Sequence, residues 1–276
     1  MQGAEQALRL LERAVGRRTL WRIGRSAYFL ARRDVGNHME TNGERTLQEA
    51  VCAAAVEPVV VFDVGANIGK WSVSLLDAAA GRRVDLYAFE PTPESRNRLT
   101  TALAGRGVHV IGEALADSVG TTRFEVHGAT SGINSIAGEN PSGDVIEVPT
   151  NTVDAFTQAQ GLDRIDLLKI DAEGFDLSVL RGARGMLARG AIGVAQFEYN
   201  WRWVHNRAFL RDVFDLARDT PYRLGKLVQG GVEIYPDWHP ELERFIEGNY
   251  ALVHPDMLPH VGARFGAFDI SNTYAD

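Results

Sequence analysis

The feature that most constrains this chain is the run VVVFDVGANIGKWSVSLL, residues 59–76, which follows Pro58. Four consecutive apolar residues, Val59 to Phe62, stop at Asp63, and glycines at 65 and 69 precede a second stretch with apolar periodicity. A short unbroken apolar run suits a strand buried on both faces, and the glycines suit a tight turn into a helix. The run therefore predicts a buried parallel strand, a turn and a helix, the unit from which doubly wound sheets are built.

The turn also selects among cofactors. A dinucleotide fingerprint needs its second glycine for close approach to a pyrophosphate and its third for packing of helix on strand. Here the turn reads Gly65-Ala66-Asn67-Ile68-Gly69-Lys70, with asparagine at the second of those positions and lysine at the third. No Gly-Lys-Ser/Thr follows, which excludes a P-loop. What remains is an acid, a glycine turn and a helix N-terminus whose free N–H groups favour a carboxylate. S-adenosylmethionine meets those requirements, because its aminoacyl end carries one carboxylate and one ammonium and it has no phosphate. A nicotinamide-dependent oxidoreductase on a similar fold is the alternative that Asn67 and Lys70 disfavour, and a non-catalytic cofactor-binding scaffold is a third.

Beyond residue 51 strand and helix signals alternate. Strands are expected at 58–64, 84–89, 108–113, 121–126, 145–149, 165–170, 192–198, 222–228 and 232–235, and helices at 69–80, 93–104, 152–160, 174–188 and 206–219. That order predicts an α/β, mostly parallel, doubly wound sheet covered on both faces. Residues 127–144, HGATSGINSIAGENPSGD, have no period and are rich in Gly, Ser and Asn, as expected of a substrate lid. The second strand ends in Glu90-Pro91, 21 residues after Gly69. An acid there sits where a ribose lies and can accept hydrogen bonds from both hydroxyls.

The formal charge of −7 argues against a nucleic-acid-binding protein, which needs a basic face. A single cysteine, Cys52, excludes an internal disulfide and reads as a small buried residue. The first 33 residues differ from the rest, with eight arginines against Glu5 and Glu12, interleaved with Leu8, Leu11, Val15, Trp21, Tyr28 and Phe29. They predict a basic amphipathic helical extension, 1–50, before a catalytic domain, 51–276. It is too polar for a signal peptide or a membrane span, so a cytoplasmic protein is expected. Such a helix can rest on a membrane surface or an acidic partner, or dock on its own domain or a second subunit to form a homo-oligomer.

The segments VFDVGANIGKWSVSLL, YAFEPTPESRNRL, GEALADSVGTTRF, SGINSI, DLLKIDAEGFDLSVLRGA and AQFEYN, in that order over residues 58–200, resemble the FkbM-type methyltransferases. The resemblance implies a class I, Rossmann-like methyltransferase fold and S-adenosylmethionine as cofactor. It also implies methylation of a hydroxyl on a small-molecule acceptor, a sugar or a glycosylated or polyketide-type natural product. By the same likeness Asp63, Gly65, Ala66, Asn67 and Gly69 line the aminoacyl end, Glu90 and Pro91 the ribose, and Glu113 and Ala114 the adenine.

Methyl transfer to a weakly acidic hydroxyl needs alignment and a proton acceptor. Candidates lie at the carboxyl ends of the strands: Asp171 and Glu173 after 165–170, and Glu198 and His205 at and beyond the end of 192–198. Carboxylates on adjacent strand ends could also bind Mg²⁺. Trp201 or Trp203 is expected to face the acceptor, with Lys226–Tyr235 and the turn 237–240 as the far wall.

Overall fold

The computed structural model describes residues 2–34, 36, 38–128, 134–136, 142–269, 272 and 274–275. The apolar run forms β1 (Val59–Val64), buried along its whole length. It pairs in parallel with β2 (Val84–Phe89), which pairs in parallel with β3 (His109–Ile111). The chain then leaves this sheet. β4 (Ala114–Leu115), β5 (Gly120–Val126), β6 (Ser135–Ile136) and β7 (Asp144–Asn151) form a separate four-stranded sheet in the order β4-β7-β5-β6.

The return strand β8 (Ile165–Ile170) lies on the other side of β1, followed outward by β9 (Ile192–Tyr199), both parallel to it. β10 (Arg223–Val228), β11 (Gly231–Ile234), β12 (Gly248–Val253) and β13 (Ala263–Phe265) complete a nine-stranded sheet ordered β13-β11-β10-β12-β9-β8-β1-β2-β3. The strand order reverses between β1 and β8, and a doubly wound sheet opens its ligand crevice at the carboxyl ends there. This is the doubly wound α/β arrangement expected from the alternation, and the class I, Rossmann-like fold that the family resemblance implies.

Two expectations about strands need correction. The strands expected at 121–126 and 145–149 pair antiparallel with each other in the small mixed sheet and do not belong to the main one. The strand expected at 108–113 is cut short at Ile111 and resumes as β4 in the other sheet. In addition β12 inserts antiparallel between β9 and β10, and β11 is antiparallel to β10, while the edge strand β13 runs parallel to β11.

The helices are α1 (Gln2–Val15), α2 (Arg17–Ala31), α3 (Glu44–Ala54), α4 (Lys70–Ala78), α5 (Pro93–Ala102), α6 (Val153–Gln160), α7 (Asp176–Gly182), α8 (Arg184–Ala188) and α9 (Leu210–Ala217). Alternation along β1 sends Val60, Phe62 and Val64 to one core, with residues of α6 to α9, and Val59 and Val61 to the other, with α3 and α4. The helix expected at 174–188 is two, α7 and α8. Gly182 packs so closely on the Ala116 carbonyl that a Cβ would stand 2.0 Å from that oxygen. The helix expected at 206–219 begins only at Leu210, because Asn200 caps a short 3₁₀ turn at Trp201–Val204.

The boundary expected at residue 50 falls inside α3, whose Leu47, Val51 and Cys52 are buried in the second core. Cys52 is thus a core residue, and burial pushes its thiol up to about 11. The extension before it is a hairpin, α1 and α2, rooted by Asp34, which is bonded by Lys226 and, 2.7 Å away, by Arg244. Burial alone would raise the Asp34 carboxyl, but these two cations outweigh it and hold it low. Among the described residues no helix is long and apolar enough to cross a membrane.

Candidate active site

Asp63, the last residue but one of β1, is fully buried, where an unpaired carboxylate would be prohibitively costly. It accepts a hydrogen bond from Ser72 Oγ at 2.6 Å and faces Lys169 Nζ at 3.1 Å. Lys169 also stands 3.5 Å from Asp171 Oδ2 and 5.8 Å from the centre of the Trp71 ring. Burial works to lower the Lys169 pKa, but Asp63 and Asp171 outweigh it and raise it, so the ammonium stays charged. One cation therefore ties the β1 end to the β8 end across the switch point. The sequence assigns Asp63 to the aminoacyl end; the structure instead puts it beneath the turn, reaching the crevice only through Lys169.

The turn above it depends on two backbone positions. Gly65 has φ 72°, and a Cβ there would lie 2.0 Å from the Asp171 carbonyl oxygen, so only glycine lets the β1 and β8 ends approach. Asn67 has φ 48°, a left-handed conformation that asparagine tolerates better than most residues. Its Oδ1 is buried and has no hydrogen-bond partner among the described residues. Gly69 does not line the crevice; it lies against Leu99 and caps α4.

Glu90, 6 % exposed, follows β2. Its Oε2 accepts from the Asn67 N–H at 3.0 Å, and its Oε1 from the Thr92 N–H at 2.9 Å and from the Thr92 hydroxyl. Burial raises its pKa against these bonds. The carboxylate is thereby fixed in orientation, and Oε2 keeps lone-pair capacity for an incoming hydroxyl. Glu113 accepts from Asn151 Nδ2 at 2.9 Å, which fastens the crevice wall to the end of β7.

Gly65, Asn67, Glu90, Pro91, Glu113 and Ala114 line one cavity of about 140 Å³, together with the apolar Phe89, Leu115, Phe124 and Ile136. The small sheet thus roofs the crevice through β5 and β6. Of the expected lid, residues 129–133 and 137–141 lie outside the described residues, while Asn134 and Ile136 line the cavity. Ala66 lines a second cavity of about 590 Å³, which shares Gly65, Asn67 and Asp171 with the first. Its other walls come from Lys70, Trp71, Lys169, Glu198 and Asn249, from His38, Met39 and Glu40 of the segment before α3, and from Glu44 at the start of that helix.

Four carboxyls gather here, one of which, Asp176, the sequence reading misses. Asp176 accepts from the N–H groups of Gly174 and Glu198, each at 3.2 Å, and so ties the loop after β8 to β9. Burial, then the nearby Asp171, pushes it up to about 7. Glu173 has φ 52° and faces Arg202 at 3.1 Å, yet burial and Asp171 outweigh that cation and push it up to about 8. Glu198 accepts from Asn200 Nδ2 at 2.7 Å and is raised by burial and by its acidic neighbours. Asp171 differs in being 40 % exposed, at the junction of the two cavities.

Some expected residues are not brought together. His205 is exposed, its ring against Trp201, and lines neither cavity. Trp203 is fully buried, donating to the Glu198 carbonyl at 2.9 Å, and Trp201 is exposed outside both cavities. Lys226–Tyr235 forms the β10–β11 hairpin and contributes no lining; the far wall is the 38–44 segment. Among the described residues no group of three or more His, Cys, Asp or Glu is placed to hold a metal ion. Arg202 and the backbone N–H groups engage Glu173 and Asp176, so the carboxylates do not converge on a common point and the Mg²⁺ expectation finds no support. Lys169 was visible in principle, since a lysine inside an apolar strand signals a paired buried charge.

The curated hexuronic acid methyltransferase AglP of Haloferax volcanii is 26% identical over 151 residues, covering 54% of this chain and 59% of that protein. The chain thus spans less than two thirds of the length of that relative. A solved FkbM methyltransferase from Methylobacillus flagellatus is 16% identical, covering 70% of this chain and 42% of that one, with a TM-score of 0.45. Aeropyrum pernix fibrillarin, solved with S-adenosyl-L-methionine, is 13% identical, covering 77% of this chain and 76% of that one, with a TM-score of 0.36. The methyltransferase FkbM domain profile matches residues 63–224, more than half of the sequence, and the chain belongs to that family.

Proposed function

We propose that this chain is an S-adenosylmethionine-dependent methyltransferase that methylates a hydroxyl on a sugar or on a glycosylated or polyketide-type natural product. The observation that carries the reading is the buried Asn67 Oδ1, without a donor among the described residues, in the same cavity as the oriented Glu90 carboxylate. A buried acceptor without a donor calls for a ligand donor, and an ammonium beside a ribose diol supplies what these two side chains lack. Family membership supports the same class, and the name of the Haloferax relative supports a sugar acceptor.

When bound, the cofactor supplies an activated sulfonium methyl. The residues of the chain then have separable tasks. Asn67 takes the ammonium, Glu90 the ribose hydroxyls, and Ala114, Phe124 and Ile136 flank the adenine. The second cavity takes the acceptor, and Asp171, where the cavities meet, removes the hydroxyl proton. Lys169 positions that carboxylate.

Calorimetric titration with S-adenosylhomocysteine and, separately, NAD tests the reading. Binding of the first but not the second, weakened about tenfold or more in Glu90→Ala through loss of a charged hydrogen-bond acceptor, is expected. Absence of S-adenosylhomocysteine binding would sink it, and NAD binding would restore the oxidoreductase alternative.

A further inference from the structure

The α1–α2 hairpin is absorbed neither by the fold nor by the site. No residue of α2 is buried, and the hairpin is held to the body mainly near its root, by Asp34 and by the Tyr28 hydroxyl, 3.2 Å from Glu241. Helical spacing places Leu8, Leu11 and Val15 on one face of α1, opposite Arg9 and Arg13. In α2 the spacing of seven between Trp21 and Tyr28 defines a second apolar face, with Arg18, Arg22 and Arg25 on the flank. These apolar side chains remain exposed, Trp21 by 68 % and Leu8 by 52 %. An apolar groove of about 1030 Å³ runs between the helices and reaches the body at Ile246.

Charge identifies the occupant. Residues 1–33 carry eight arginines against two glutamates, whereas the rest of the chain carries 21 Lys and Arg against 34 Asp and Glu. A second copy meeting hairpin to hairpin would set these cationic surfaces against each other, because a two-fold interface pairs a patch with itself. A hairpin seated on the acidic body of another copy would instead make a head-to-tail contact that propagates. An anionic lipid surface satisfies both features at once, the arginines at the headgroups and the Trp and Leu side chains in the boundary below.

We propose that the α1–α2 hairpin docks this protein on anionic lipid surfaces, lying in the interface without crossing it. The acidic body is repelled by such a surface, and a hairpin anchored at its root holds the body off it. The root is tied to Lys226 and Arg244 of the body, so docking holds the body, and with it the second cavity, close to the lipid.

Sedimentation of the full chain with phosphatidylcholine vesicles, with and without phosphatidylglycerol, tests this. Binding at least about tenfold tighter to the anionic vesicles, and weakening as salt rises, is expected. Each arginine at such a surface raises partitioning about fivefold, so Arg17→Gln/Arg18→Gln should weaken binding on the order of twentyfold. Trp21→Ser should weaken it while leaving the melting temperature and S-adenosylhomocysteine affinity unchanged. Equal binding to both vesicles, no binding to either, indifference to Trp21→Ser, or loss of all vesicle binding to a nucleic-acid competitor would each overturn the proposal. So would a lipid-free dimer, by light scattering, that Trp21→Ser dissolves.

Discussion

The two cavities on either side of Asp171 are built in different ways. The first is made from strand ends and the sheet that roofs them, β1, β2, β4, β5 and β6, all within residues matched by the family profile or at its edge. The second borrows His38, Met39, Glu40 and Glu44 from before the family match and Asn249 from after it. Glu44 is seated by Gln196 of β9, whose Nε2 donates to it at 2.6 Å, and by Asn42 Nδ2 at 2.8 Å. The contrast teaches that the side proposed for the cofactor is built from residues the family match covers, while the side proposed for the acceptor draws on segments outside that match.

The severest test of that contrast is one that spares neither side. Gly65→Ala forces a Cβ onto the Asp171 carbonyl at a positive φ, and we predict destabilisation by several kcal/mol with loss of S-adenosylhomocysteine binding, read by thermal melting and calorimetry. Asp171→Asn strikes only the junction. Turnover should fall on the order of a hundredfold or more, with cofactor affinity changed less than about threefold, as removal of a general base implies; a pure affinity loss would reassign Asp171 to cofactor binding. Glu40→Ala confines the change to the second wall, and the acceptor KM should rise by a few-fold with S-adenosylhomocysteine affinity constant. An unchanged KM would show that the acceptor binds elsewhere.

The smallest expected effect is on stability against pH. Burial raises the Glu173 and Asp176 carboxyls to about 8 and about 7 in the folded protein, from ordinary values of 4.5 and 3.8. The folded state then binds protons that the unfolded state has released. Stability is therefore greatest below the unfolded pKa values and declines as pH rises through about 4 to 8. Glu173→Gln should flatten the upper part of that decline in denaturant titrations across the range. An unaltered slope would mean that Arg202 keeps Glu173 ionised.

How much of this was legible beforehand follows the range of the interactions. β1, β2 and β8 were visible because buried parallel strands write themselves as local apolar runs. Glu90 and Asn67 were visible because a turn and a strand end are also local. Asp63 was misplaced because its role is set by Lys169, a partner more than a hundred residues away, and not by its own neighbourhood. The 38–44 wall has no period at all, and its place depends on Gln196 and Asn249. β12 escaped notice in an aromatic-rich tail, although it completes the sheet between β9 and β10. Asp176 sits in the first turn of α7, where an acid is unremarkable until the N–H groups it collects are seen.

The seat of Glu44 has a further consequence, for the order in which the molecule comes together. Residues 38–44 precede every other part of the site in the chain, yet the hydrogen-bonding partner of Glu44 lies 152 residues later, and Asn249 later still. Contacts so far apart in sequence bear the largest loop-closure cost and form late. During synthesis the first cavity can close as soon as β8 has paired with β1, while the opposite wall waits, solvated, for β9 and β12. The part of the site translated first is the part completed last.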